Sequence, residues 1–216
     1  MKILFIFAHP DDEAYGPAGT IAKLVKEDHS VFISSLCIGD RPGSETVSKS
    51  RGEAFSESCK KLGVKDYSIL GYHDAKLTIE DSIKAVEKEV KKYKPDIVYT
   101  HNISDLHRDH RLVAEAAMVA CRPKPNSTVK KLYMCEIPSS TDWTFGELDP
   151  VFVPNVYTDV SSAIHTKVQV MGFYSTEIYN YPDARSVESM ECLAMYRGKQ
   201  IGVHRAEAFK LVFSIE

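Results

Sequence analysis

No Cys-x-x-Cys pair occurs in these 216 residues, and the five cysteines (Cys37, Cys59, Cys121, Cys135, Cys192) are widely spaced and odd in number. Such spacing signals neither a disulfide framework nor a thiolate zinc site, so most of them are expected to be small core hydrophobes. No stretch approaches the roughly 20 apolar residues of a membrane span. The N-terminal apolar run is only about six residues long before a His-Pro and acids, too short and wrongly flanked for a signal peptide, and a cytoplasmic protein is expected. Charge of one sign is also lacking. A formal net charge of -3 gives no general pull toward nucleic acid or an anionic membrane.

What is present suffices for one sizeable domain, with 44% of residues hydrophobic over a length that can bury a core. Through the first half, apolar runs of strand length alternate with helix-period segments, the pattern of βαβ units around a parallel sheet. Strands are predicted over 2–7, 31–37, 67–70 and 97–100. Helices are predicted over 18–27, over 50–62 with Gly63 as the stop, and over 80–92. The expected fold is α/β, a Rossmann-like, mostly parallel sheet sandwiched by helices in a single domain, 1–216. Residues 1–120 would form the core that carries the site, and 121–216 the pocket-shaping and closing segments, with 161–174 and 184–197 covering the sheet.

Directly after the first strand comes Ala8-His9-Pro10-Asp11-Asp12-Glu13. Three carboxylates this close repel one another, and either a bound cation or full exposure to solvent relieves the repulsion. Position favours the cation, because ligands of open α/β sheets bind in the crevice outside the carboxyl ends of the strands. A second stretch, His101-Asn102-Ile103-Ser104-Asp105-Leu106-His107-Arg108-Asp109-His110, follows the fourth strand and leads into an apolar-periodic helix. There His107 and His110, spaced i and i+3, project on roughly one side. Between these two stretches, the polar segment 39–44 is either a mobile lid or an ordinary surface connection. Arg51 opens the predicted helix, where a cation opposes the macrodipole, so it either faces a ligand at the strand edge or is simply solvated. Asp74 reaches the same edge and can accept hydrogen bonds from neighbouring sugar hydroxyls.

Two imidazoles and one carboxylate suit a catalytic zinc site with a position left open for water, and His9, Asp12 and His110 are the candidate ligands. Water at such a site has its pKa lowered to about 7, and a nearby carboxylate, Asp11, can take its proton as it attacks a carbonyl. The residue pattern alone does not say which of Asp11 and Asp12 binds the metal. A protonated His107, its ring held by Asp109, would stabilise the oxyanion. Trp143 either stacks on a sugar face or anchors its loop to the core, and the anchor is the expectation.

Ala8 to Glu13 after the first strand, with His107-x-Asp109-His110 after the fourth, resembles the PIG-L/LmbE family of zinc-dependent N-deacetylases. Arg51 with Glu53, the segment Leu70 to Asp74, and Arg197-Gly198 followed by Ala206 to Phe209 are weaker echoes. The resemblance implies His9, Asp12 and His110 on zinc, Asp11 as general base and His107 beside the scissile amide. It also implies Arg51 and Asp74 on sugar hydroxyls. The implied substrate is a small N-acetylglucosamine-type conjugate whose partner the residues do not name. Fe2+ or another divalent ion also fits the ligands, and a homo-oligomer is left open. Competing readings are a ferrous oxygenase site, a divalent-metal-dependent sugar or nucleotide transferase, and a non-catalytic ligand-binding α/β module with 16–19 cradling an anion at a helix start.

Overall fold

The first strand, β1 (Lys2–Phe7), is a nearly unbroken apolar run, and Ile3 to Phe7 are buried on both faces. This is the signature of a central strand in a sheet covered on both sides. The computed structural model describes residues 1–40 and 45–216, with 45–49 described in backbone only. Residues 41–44 of the segment read as a lid or connection lie outside the described residues.

After β1 the chain runs through α1 (Asp12–Tyr15), α2 (Ala18–Lys26), β2 (Ser30–Cys37), α3 (Glu45–Leu62), β3 (Asp66–Tyr72) and α4 (Ile79–Tyr93). It continues with β4 (Ile97–His101), α5 (Arg108–Ala120), β5 (Lys131–Cys135), β6 (Val156–Asp159), α6 (Ile164–Met171), α7 (Val187–Lys199) and β7 (Ala206–Ser214). The seven strands form one sheet in the order β3-β2-β1-β4-β5-β7-β6. β3, β2, β1, β4 and β5 are parallel neighbours, and β7 runs antiparallel to both β5 and β6. This is the single α/β domain expected, with a Rossmann-like arrangement.

Because side chains alternate across a strand, β1 divides the core in two. Ile3, Phe5 and Phe7 pack with Ile21 of α2 and Phe55 and Cys59 of α3. Leu4 and Ile6 pack with Val86 of α4 and Val113 of α5 on the other face. Four of the five cysteines are buried and Cys192 is exposed. No helix among the described residues is long and apolar enough to cross a membrane.

Two local findings correct the sequence reading. α3 starts five residues before the predicted 50–62 helix, so Arg51 sits inside the helix and not at its N-terminus. The macrodipole argument therefore does not apply to it. β5, β6 and β7 were not predicted as strands. Gly63, by contrast, does end α3 in the left-handed region, φ 73°, which costs glycine little.

Strand order grows outward in one direction from β1 and in the other from β4, so the crevice between their carboxyl ends is the topological switch point. His9 to Asp12 leave β1 there, and His101, His107 and His110 leave β4 beside them.

Candidate metal centre and active-site cavity

His9, Asp11, Asp12 and Glu13 are 5%, 1%, 1% and 0% exposed, which rules out the solvated acidic loop. Each carboxylate in the run is held differently. Glu13 turns inward, accepting from Tyr174 Oη at 2.5 Å, Ser58 Oγ at 2.7 Å and the Asp11 N–H at 3.1 Å. Burial pushes its carboxyl up to about 7. Asp11 occupies φ 122°, a region that L-residues rarely adopt, and such backbone strain gathers at functional sites. Its Oδ2 accepts from Arg51 Nη2 at 2.9 Å and Arg185 Nη1 at 3.1 Å, while its Oδ1 accepts no hydrogen bond from a described residue.

Asp12 faces the histidines. Its Oδ2 accepts from the His9 N–H at 2.8 Å, and its Oδ1 is buried without a hydrogen-bond partner, 3.3 Å from His110 Nε2. His9 Nδ1 lies 3.3 Å from His110 Nε2 and 3.6 Å from Asp12 Oδ2. Ligands about 2.0–2.1 Å from a tetrahedral zinc ion stand about 3.3–3.4 Å apart, and the His9–His110 and His110–Asp12 Oδ1 separations match such edges, whereas the contact of His9 is with the other Asp12 oxygen. Although burial opposes it, the Asp12 and Asp105 carboxylates push His110 up to about 9. Likewise, Asp109 and Asp12 hold His9 well above its usual value against burial. The cluster thus demands positive charge at its centre, and a divalent cation meets that demand with both imidazoles neutral, as ligation requires. Residues and charge both fit a metal.

Other donors stand near. His9, His107 and His110 form one group whose ligand atoms lie within 4.8 Å of one another, and Asp12, His101 and His110 form another. His101 is not a free donor. The Ala8 N–H donates to its Nε2 at 2.8 Å, and burial, with His110 alongside, pushes its pKa down to about 4. Its ring stacks on His110 with centroids 3.8 Å apart and serves as a neutral backing plate.

His107 caps α5, its Nδ1 accepting from the Asp109 N–H at 3.2 Å, which leaves the neutral ring's proton on Nε2. Burial, reinforced by His9 and His110, pushes its pKa down to about 4. Asp109 departs from expectation. Its carboxylate does not grip the His107 ring; Oδ2 lies 3.2 Å from His9 Nε2 and accepts from the Ala75 N–H at 2.7 Å. Asp105 does the equivalent for His110, with Oδ1 3.1 Å from Nδ1, and it is itself held by Ser140 Oγ and by Thr141 Oγ1 at 2.6 Å. Each candidate imidazole ligand thus has its own buried carboxylate behind it, the outer-shell pattern of histidine metal sites.

These groups open into a cavity of about 420 Å³ whose lining includes His9, Asp11, Arg51, Asp74, His107 and His110. The sequence-predicted residues are brought together here, except that Asp12 and Asp109 stand behind the wall. Arg51 is engaged beyond Asp11, donating to Pro10 O at 3.0 Å and standing 3.5 Å from Asp74. Burial pushes Asp74 up to about 6.

Sequence reasoning missed Asp105, Arg185 and Glu177. Arg185 bridges Asp11, Glu177 Oε2 at 3.2 Å and Ser139 Oγ at 2.8 Å. Asp105 lay in the second motif and was passed over, whereas Arg185 has no local signal. The anion cradle considered at 16–19 is already filled from within. Gly19 and Thr20 N–H groups donate at 2.9 and 2.7 Å to Glu207 of β7, whose charge Lys167 neutralises at 2.8 Å.

Fold and site together define a class, that of Rossmann-like sheets with a candidate divalent-metal centre at the switch point. More narrowly, a family model described as PIG-L, GlcNAc-PI de-N-acetylase, matches residues 4–121, and the chain belongs to that family. It is 27% identical over 192 residues to a probable N-acetyl-alpha-D-glucosaminyl L-malate deacetylase 2 of Bacillus cereus, covering 81% of this chain and 83% of that protein. Its fold matches an N,N'-diacetylchitobiose deacetylase from Pyrococcus horikoshii with TM-score 0.80 at 22% identity, over 98% of this chain and 83% of that one. GalB of Pseudomonas putida, a 4-carboxy-2-hydroxymuconate hydratase, matches with TM-score 0.77 at 18% identity, over 100% and 97%. A shared fold therefore does not by itself choose the reaction.

Proposed function

We propose that this protein is a divalent-metal-dependent hydrolase that removes the N-acetyl group from an N-acetylglucosamine-type conjugate, with zinc as the metal. The observation that carries the reading is that His9 Nδ1 and His110 Nε2 stand 3.3 Å apart, with Asp12 Oδ1 3.3 Å from His110 Nε2 and Asp12 Oδ2 3.6 Å from His9 Nδ1, beside an Asp11 carboxylate with one unengaged oxygen.

His9, Asp12 and His110 would hold the cation, which when bound supplies Lewis acidity toward an amide carbonyl and lowers the pKa of a water. Asp11 is the general base. Two guanidinium groups fix its Oδ2, so Oδ1 keeps one orientation toward the cavity and takes the proton there. His107 donates Nε2–H to the oxygen that gains charge as the carbonyl is attacked, a role that a neutral donor fills without a proton being moved first. Asp109 acts as a positioning residue through His9, as Asp105 does through His110. Arg51 and Asp74 line the cavity where sugar hydroxyls would lie, with Arg51 also orienting the base.

The test is acetate release from a small panel of conjugates, including N,N'-diacetylchitobiose and N-acetylglucosaminyl L-malate, by protein stripped of metal and then reloaded. Release that appears only on reloading supports the deacetylase. Stoichiometric metal without cleavage of any conjugate would mean that the substrate class is wrong, and tight nucleotide binding in its place would favour the transferase.

A further inference from the structure

Resting on the deacetylase reading, we propose that Trp143 forms a subsite for a second sugar ring, uncharged or cationic, joined to the acetamido sugar at the metal centre. Trp143 is the one tryptophan of the chain, is 44% exposed, and lines the same cavity as His9, Asp11 and His107. At that exposure it is not the fully buried loop anchor expected from the sequence. Among the described residues its indole N–H meets no hydrogen-bond acceptor, and its face meets no ring or cation.

Other residues do the anchoring. Thr141 Oγ1 donates to Asp105 at 2.6 Å and accepts from the Ile137 N–H at 2.9 Å, and Thr144 Oγ1 donates to Thr141 O at 3.1 Å. Asp105 in turn holds His110, so the turn Asp142–Thr144 that carries the indole is tied to a candidate metal ligand. The indole, 44% exposed, thereby stands in the cavity wall at a place fixed by its neighbours. Tyr179, 47% exposed, lines the same cavity. Such faces pack against the apolar side of a ring while its hydroxyls stay in water.

The charges select among rings. Among the described residues five carboxylates line the cavity, Asp11, Asp40, Asp74, Glu177 and Asp183, against two guanidinium groups, Arg51 and Arg185, which are already committed to Asp11, Asp74 and Glu177, while Asp40 pairs with His73. A partner bearing carboxylates or phosphates would meet like charge, whereas a neutral or amino sugar would not. A cavity of about 420 Å³ lies within the range of sites that enclose ligands larger than one small ring.

The experiment compares metal-loaded wild type, Trp143→Ala and Trp143→Phe on N-acetylglucosamine, N,N'-diacetylchitobiose and N-acetylglucosaminyl L-malate. Trp143→Ala is expected to raise KM for the disaccharide about tenfold and to leave kcat/KM for the monosaccharide within about twofold. Trp143→Phe should recover most of the loss, and the malate conjugate should be the poorer substrate by about tenfold in wild type. In parallel, chitobiose without acetyl groups is titrated into the wild-type protein while the emission of this sole tryptophan is followed. A saturable change is expected with chitobiose and little change with glucosamine at the same concentrations. Equal losses on mono- and disaccharide, a preferred malate conjugate, or unchanged emission would overturn the subsite. If no substrate released acetate, the deacetylase reading would fail, and the emission titration, which needs no hydrolysis, would still decide the role of Trp143.

Discussion

Replacing Asp109 by Asn separates two roles that its place in the second motif leaves entangled. Asn keeps the size of the side chain and an acceptor for the Ala75 N–H, so the fold should persist. It removes the negative charge 3.2 Å from His9 Nε2 in a pair that is almost fully buried, Asp109 being 0% and His9 5% exposed. A carboxylate behind a histidine ligand raises its basicity and fixes its ring, and losing one typically weakens metal binding 10–100-fold. At 25 °C that corresponds to about 1.4–2.7 kcal/mol. Zinc affinity measured by competition with a chelating dye should therefore fall by that factor, and at saturating zinc kcat should return to within about tenfold of wild type. Zinc affinity within twofold of wild type, together with activity that excess zinc does not restore, would refute the reasoning and place Asp109 on His107 instead.

Metal itself should stabilise the fold. Zinc at about 100 times its Kd contributes about 2.7 kcal/mol, a rise of about 5–10 °C in Tm by calorimetry for a chain of this size, and His110→Ala should abolish the rise. Glu13→Ala strands the Tyr174 and Ser58 hydroxyls and the Asp11 N–H in a buried setting. A loss of about 3–5 kcal/mol is expected from urea unfolding, and a loss below about 1 kcal/mol would deny Glu13 its structural role. Lys167→Met leaves the Glu207 carboxylate buried without its cation and should cost about 3–5 kcal/mol, whereas the double change with Glu207→Gln should cost clearly less than the two single losses added.

The half of the site carried on the ends of β1 and β4 was legible because chemistry and position coincide in sequence. His9, Asp11 and Asp12 follow an apolar run, and His107 and His110 open a helix with strict apolar spacing, so both place themselves at a strand edge. The first four strands were found for the same reason, each being bounded by turn residues or a helix of clear period. β5 to β7 lack that contrast. β5, Lys131 to Cys135, is as long as β4 but no helix of clear period follows it, and β6 is only four residues. β7 carries Glu207 at a buried position whose partners, Gly19, Thr20 and Lys167, lie far away in the chain. Arg185 was invisible for a similar reason, its contact with Asp11 spanning 174 residues, and Glu177 joins the site only through Arg185 and Arg51. The inner partners, Asp105 on His110 and Asp109 on His9, needed coordinates, because residue spacing does not say which nitrogen a carboxylate meets.

The most direct test of a metal held by His9, Asp12 and His110 with Asp11 as its base is a zinc titration of stripped protein that follows bound metal and acetate release together. Wild type should gain activity in proportion to one equivalent of zinc, and Asp11→Asn should take up the same equivalent while releasing about 10²-fold less acetate or lower still. An Asp11→Asn protein that hydrolysed its substrate at the wild-type rate, or a wild type equally active without metal, would contradict the mechanism.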